Sequence, residues 1–145
     1  MPAKDPDLHG NAPDKSDVAI LLIVEHCLED DVRGRAVVER LRPAEDDYFA
    51  LKPKHSGFYS TTLDVLLEYL GARTLVLTGM ATNICVLFTA NDAYMRDFHL
   101  VVPAECVASN TEEENRHALE QMRQFLKADT RPSDELRLEE LGRCR

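Results

Sequence analysis

Positive charge is in short supply: 17 Lys and Arg stand against 26 Asp and Glu, a net charge of −9. Such a balance leaves no phosphate-binding face, so nucleic acid and anionic membrane surfaces are not expected partners. Tryptophan is absent, and aromatic residues make up only 6% of the chain. Long apolar runs are also missing. The longest, Val18 to Val24, falls far short of the roughly 20 residues that cross a bilayer. Met1 to Ser16 is polar and carries Pro2, Pro6 and Pro13. It lacks the basic segment and apolar core of a secretory signal, which predicts a cytoplasmic protein. The cysteines Cys27, Cys85, Cys106 and Cys144 form no CxxC pair and have no histidine at ligand spacing. Neither a zinc site nor a disulfide scaffold is expected, and no cofactor is implied.

What is present is an alternation of strand-like and helix-like stretches, the pattern of a parallel sheet flanked by helices. With 145 residues the chain is long enough for one domain with a real core. Val18 to Val24 reads as a strand buried on both faces. Glu29 to Glu45, charged and carrying Gly34 and Pro43, reads as irregular, and Tyr48 to Leu51 as a short strand before the polar turn 52–57. Leu63, Leu66, Leu67 and Leu70 mark one face of a helix over 62–70, with Thr61 or Thr62 at its start and Gly71 at its end. Thr74 to Thr78 is a second buried strand. It runs through Gly79-Met80-Ala81 into a helix from about Asn83 to Arg96. His99 to Pro103 is a third strand. Glu112 to Lys127 is an amphipathic helix with Leu119, Met122 and Leu126 inward and Asn110-Thr111 as cap. Asp134 to Arg145 is a charged tail, a peripheral helix or disordered. No internal repeat is visible.

Cys85 follows the end of a strand at the first turn of a helix, where Thr82 or Asn83 is placed to cap. Unsatisfied amides and the helix dipole stabilise a thiolate there, and the same amides can hold a developing oxyanion. Ligands of open α/β sheets bind at this carboxyl edge. The alternative is a small, inert core thiol. Lys52, Lys54, His55 and Ser56 form a second polar cluster. A lysine beside a thiol favours the thiolate and can later return a proton; the alternative is an ordinary solvated loop.

The stretch from Leu51 to Asn110 resembles the isochorismatase-like cysteine hydrolases. Two separated motifs carry the resemblance: K-x-x-x-S-x-F-x-x-T-x-L from Lys52 to Leu63, and T-G-x-A-T-x-x-C-V from Thr78 to Val86. It extends from about Val24 to Ser133, with a short further match at Asp17 to Ile23. The resemblance implies a three-layer α/β/α Rossmann-like sandwich with a parallel sheet, often a homo-oligomer. It also implies hydrolysis of C–N bonds in small amides, or of the vinyl ether of isochorismate, through an Asp–Lys–Cys triad. By it Cys85 is the nucleophile and Lys52 its supporting lysine. Lys54 and His55 fall at variable positions of the pattern and are candidate pocket lining, and a cis Met80–Ala81 peptide is implied, aiming the Ala81 and Cys85 N–H groups at the substrate oxygen.

The chain departs from the family pattern at one end of the site. Asp17 to Ile23 matches the first strand, but Val24 stands where the family keeps its catalytic aspartate. From Val24-Glu25-His26-Cys27 onward the chain resembles a later part of the pattern, as if one strand–helix unit were missing after residue 23. The organisation expected is a polar segment over 1–16, a shortened hydrolase domain over 17–133 and a charged tail over 134–145. A parallel sheet without that unit exposes an edge and an apolar face, which favours self-association. Glu25 is the nearest substitute acid; a regular strand would point it to the opposite face, and a bulge would turn it back. Asp17, Asp30 and Asp31 are weaker candidates, and Cys27, Cys106 and Cys144 are structural or incidental.

Two functions follow. One is a cysteine hydrolase acting on a small amide or related bond, with a small-molecule substrate. The other is an inactive, shortened family member serving as a subunit or binding module. A redox-responsive thiol protein would need a resolving cysteine near Cys85, and no sequence neighbour supplies one.

Overall fold

The computed structural model describes residues 35–44 and 47–137. The chain divides into two compact units, Met1–Tyr48 and Phe49–Arg145. In the first unit the described element is helix α1 (Arg35–Arg40). Glu29 to Glu45 is thus not irregular throughout. Gly34 and Pro43 bracket a short helix-competent run, and Arg35 pairs with Glu39 one turn on at 2.8 Å. The expected first strand, Val18 to Val24, lies outside the described residues, as do Asp17, Glu25, Cys27, Asp30, Asp31 and Cys144.

The second unit holds the core. Residues 48–51 form no strand, contrary to expectation; Phe49 is exposed, and the segment has no ladder partner among the described residues. After the turn comes helix α2 (Leu63–Tyr69). Its Leu67 is buried, and Gly71 closes it with φ +62°, the left-handed conformation glycine adopts without strain. Strand β1 (Thr74–Val76) then leads to β2 (Gly79–Met80). A five-residue wide turn of helix, Thr82–Val86, continues into α3 (Leu87–Tyr94). Strand β3 (His99–Val101), β4 (Val107–Ala108) and α4 (Glu112–Phe125) follow.

Among the described residues the ladders are parallel. β1 pairs with β3 in the register Thr74 to His99 and Val76 to Val101, and β2 pairs with β4, Gly79 opposite Val107. The run expected as one strand from Thr74 to Thr78 is therefore divided between two partners. Gly79, at φ +101°, sits where the chain changes partner. β3 is flanked on its other side by Asp129, whose N–H bonds the Leu100 carbonyl at 2.9 Å while its carbonyl takes the Val102 N–H at 2.8 Å. Burial follows this order. Leu100 and Val101 on central β3 are buried, whereas Val76 on β1 is 47% exposed. The pattern predicts a buried strand here, whereas β1 is an edge among the described residues. This is a parallel α/β arrangement, the class the alternating pattern implied.

The core is built from Phe58, Leu67, Val86, Ala90, Ala93, Leu100, Val102, Val107, Met122, Leu126 and Ala128. Small alanines on α3 let it lie close to the sheet. α4 presents Ala118 and Met122 inward, with Leu126 just past its end. Its start is fixed as expected: the Thr111 hydroxyl accepts the Glu114 N–H at 3.2 Å, with three glutamates in the first turn complementing the dipole. Arg96 ties α2 to α3 by pairing with Asp64 at 3.0 Å and lying over the Phe58 ring at 4.6 Å. At the start of the charged tail a short 3-10 turn, Ser133–Glu135, is anchored by the Ser133 N–H to Glu105 at 2.6 Å.

Two outcomes test this packing. Met122 is fully buried, so Met122→Ala should cost about 2–5 kcal/mol in urea unfolding. Hydrogen bonds from Ser133, with minor help from Cys106, hold the Glu105 carboxyl at about 2, below its ordinary 4.5. A depressed carboxylate stabilises above its unfolded-state value and loses that contribution as pH falls toward about 2. Wild type should therefore lose more melting temperature than Glu105→Gln between pH 5 and pH 2; parallel losses would remove this anchor from the account.

Candidate active site

Lys52 and Cys85, far apart in sequence, meet in space. The Lys52 ammonium donates to Cys85 Sγ at 3.2 Å and to its own loop at the Lys54 carbonyl, also 3.2 Å. Cys85 is half-buried and Lys52 exposed, so the pair is open to small molecules. A sulfur within hydrogen-bond reach of an amine is arranged as a nucleophile beside a proton carrier.

The turn that carries Lys52 is organised by its own motif. Ser56 is buried, and its hydroxyl accepts the Phe58 N–H at 3.1 Å. Phe58 plugs into the core. The Thr61 hydroxyl donates to the Gly57 carbonyl and accepts the Leu63 N–H at 3.2 Å, leading into α2. Every fixed position of the first motif after the lysine thus sets the path of the turn.

One side chain then joins this turn to the cysteine. Thr89 on α3 donates its hydroxyl to the Cys85 carbonyl at 2.7 Å and accepts the Gly57 N–H at 2.9 Å. Gly57 sits where a side chain would have little room. A Cβ would stand 3.2 Å from Leu63 Cδ2 and 3.4 Å from Thr89 Cγ2. Gly57 and Thr89 went unrecognised in sequence. A threonine four residues after a helical cysteine is a common back-bonding pattern, and nothing local shows that it also reaches a distant loop.

The cysteine's own turn departs from the expected cap. Neither Thr82 nor Asn83 caps it; Ala81 occupies the N-cap position in extended conformation. The Asn83 N–H donates to Ser109 Oγ at 3.3 Å, and the Ser109 hydroxyl donates back to Asn83 Oδ1 at 3.0 Å. Asn83 is thereby spent on holding the turn to the segment after β4. The Ala81 carbonyl takes the Ile84 and Val86 N–H groups at 3.1 and 3.2 Å, the amides on either side of Cys85. The Met80–Ala81 peptide is cis. Thr82 is wholly buried.

Of the residues marked as pocket lining, His55 is exposed and packs its ring on Phe88 at 5.6 Å between centroids, one turn beyond Cys85. Lys54 is exposed and contributes its carbonyl. Glu25, the substitute acid, lies outside the described residues. Cys106 is a free thiol in the turn before β4, beside Glu105 at 3.7 Å. Among the described residues no group of three or more His, Cys, Asp or Glu could hold a metal ion, and no helix is long and apolar enough to cross a membrane. A groove of about 700 Å³ lies around Thr74, His99, Lys127 and Asp129 and is lined by neither Lys52 nor Cys85.

Fold and site together define a parallel α/β domain that presents a lysine-paired cysteine just past a strand end. The isochorismatase domain model matches residues 19–131, and the chain belongs to the isochorismatase family. The isochorismatase family protein YaaI of Bacillus subtilis is 45% identical over 104 residues, covering 72% of this chain and 58% of that protein. Ureidoacrylate amidohydrolase RutB of Methylorubrum extorquens is 47% identical over 70 residues, or 48% of this chain and 28% of that one. Among solved structures, N-carbamoylsarcosine amidase from Thermoplasma acidophilum superposes with a TM-score of 0.61 at 34% identity, covering 68% of this chain and 55% of that one. The chain thus spans less than two thirds of the length of the curated relatives it matches.

The tether makes a specific prediction. Thr89→Val keeps shape but removes the hydroxyl that serves both Gly57 and Cys85. It should cost about 1–3 kcal/mol in unfolding free energy and slow iodoacetamide alkylation of Cys85. An unchanged alkylation rate in a destabilised protein would show that Lys52 is placed without Thr89.

Proposed function

We propose that this chain is a cysteine hydrolase of small amides or ureides, with Cys85 as nucleophile and Lys52 as its proton carrier. The observation that carries the proposal is the 3.2 Å contact between Lys52 Nζ and Cys85 Sγ. The relatives support the substrate class, since one is a ureidoacrylate amidohydrolase and a structural neighbour is an N-carbamoylsarcosine amidase. Both names describe attack at a carbonyl bearing nitrogen.

The reaction balances with the two side chains and water. Cys85 thiolate attacks the carbonyl carbon, the C–S bond forms, and the Ala81 and Cys85 amides face the resulting oxyanion. As the tetrahedral intermediate collapses, the C–N bond breaks and the Lys52 ammonium protonates the departing nitrogen. Neutral Lys52 then takes a proton from water as its oxygen attacks the thioester. The acid is released, and the thiolate–ammonium pair is restored. Lys52 takes on the acid–base work because Val24 stands at the position where the family pattern has aspartate; Glu25, next to Val24 in sequence, is the substitute acid that would share it.

That same replacement favours a second reading, a member that keeps the pair but not turnover and serves as a subunit, as a homo-oligomer or otherwise. Alkylation separates the pair from an ordinary thiol. At pH 7 wild-type Cys85 should react with iodoacetamide about tenfold faster than Cys85 in Lys52→Ala; equal rates would sink the role of Lys52. Ammonia release from small ureides, abolished in Cys85→Ser, then separates enzyme from subunit, whereas fast alkylation without ammonia release would establish the second reading.

A further inference from the structure

A thiol and a primary amine in contact on open surface are reactive toward each other once the sulfur is oxidised. We propose that Cys85 and Lys52 are a joint modification site, closing under peroxide into a reversible sulfenamide cross-link, a regulation that rests on the pair proposed above. The geometry carries it. Lys52 Nζ lies 3.2 Å from Cys85 Sγ, at van der Waals contact, so an S–N bond needs a short approach and no backbone rearrangement. The pair is accessible, since Lys52 is exposed and Cys85 half-buried. The Thr89 tether fixes the two chain segments together, which gives the amine a high effective concentration.

The oxidant is hydrogen peroxide or another small hydroperoxide. Cys85 thiolate attacks one peroxide oxygen, the O–O bond breaks, and sulfur is oxidised to sulfenic acid while hydroxide leaves. The hydroxide takes a proton from the Lys52 ammonium, giving water and a neutral amine. That amine attacks the sulfenic sulfur, the S–O bond breaks, and a second water departs. Thiolate, ammonium and one peroxide thus become a sulfenamide and two waters. A sulfenic acid condenses with a thiol or with a nitrogen. Cys106 is a free thiol held beside Glu105, whereas among the described residues it is the Lys52 amine that hydrogen-bonds the Cys85 sulfur. An external thiol reverses the link by attacking sulfur to give a mixed disulfide and free lysine, and a second thiol releases Cys85.

The cross-link joins residues 52 and 85, removes the nucleophile and protects it from irreversible oxidation. The experiment treats the full chain with hydrogen peroxide and measures intact mass and linked peptides, with dithiothreitol reversal. Lys52→Arg keeps the charge but removes a competent amine, and Cys85→Ser gives the background from the other cysteines. The expected result is a species about two mass units below the reduced chain, with peptides containing Lys52 and Cys85 joined, and reversed by dithiothreitol. In Lys52→Arg the expected result is a dimedone-trappable sulfenic acid that proceeds to sulfinic acid. Equal dimedone trapping and equal overoxidation in wild type and Lys52→Arg, with no joined peptide, overturn the proposal. So does a disulfide from Cys85 to another cysteine as the product. If Lys52-dependent alkylation persists while the cross-link fails, only the cross-link falls. A cross-link in a chain that releases no ammonia from ureides leaves the modification site standing and removes the hydrolase.

Discussion

The hydroxyl of Thr89 bridges two segments that lie far apart in the chain. One of its bonds reaches back to the Cys85 carbonyl, and the other receives the Gly57 amide. The turn that begins at Lys52 is thereby laid against the helix that begins at Cys85, and the ammonium arrives at the sulfur. A flexible lysine loses considerable rotamer freedom when fixed in this way. The turn offsets that cost by ordering itself first, through Ser56, Phe58 and Thr61.

The fold supports this junction from below. Small Ala90 and Ala93 seat α3 on the sheet, and Arg96 clamps α2 to the end of α3 while covering Phe58. On the other side Asn83 and Ser109 fasten the cysteine's turn to the segment after β4. The cysteine is thus held from two directions by neutral hydrogen bonds. Among the described residues the charge next to it comes from Lys52, on an exposed loop.

What could be read from sequence was local. The left-handed Gly71, the Thr111 cap and the inward Met122 and Leu126 are set by residues within one or two turns of each other and stand as the pattern implied. Of the apolar face of α2, Leu67 is buried while Leu70 is exposed at the helix end. The pairing of Lys52 with Cys85 became legible through two motifs at family spacing, not through composition. Features that depend on distant partners were illegible. The run from Thr74 to Thr78 changes partner at Gly79 because β3 and β4 arrive from much later in the chain. Asn83 abandons its capping role because Ser109 is there to receive it. The short helix Arg35–Arg40 was hidden by the glycine and proline that bound it. Glu25 and the first strand lie outside the described residues, so the acid side of the site rests on sequence.

The central claim is that Cys85, served by Lys52, forms and resolves a covalent bond with a carbonyl carbon. The most direct measurement is acid-quenched intact-mass spectrometry of the full chain mixed with a small ureide, with peptide mapping of any adduct. The account predicts an acyl or carbamoyl adduct on Cys85 that decays in wild type and accumulates or fails to form in Lys52→Ala. An absence of any adduct on Cys85, at substrate concentrations that saturate the known amidohydrolases of the family, would contradict it.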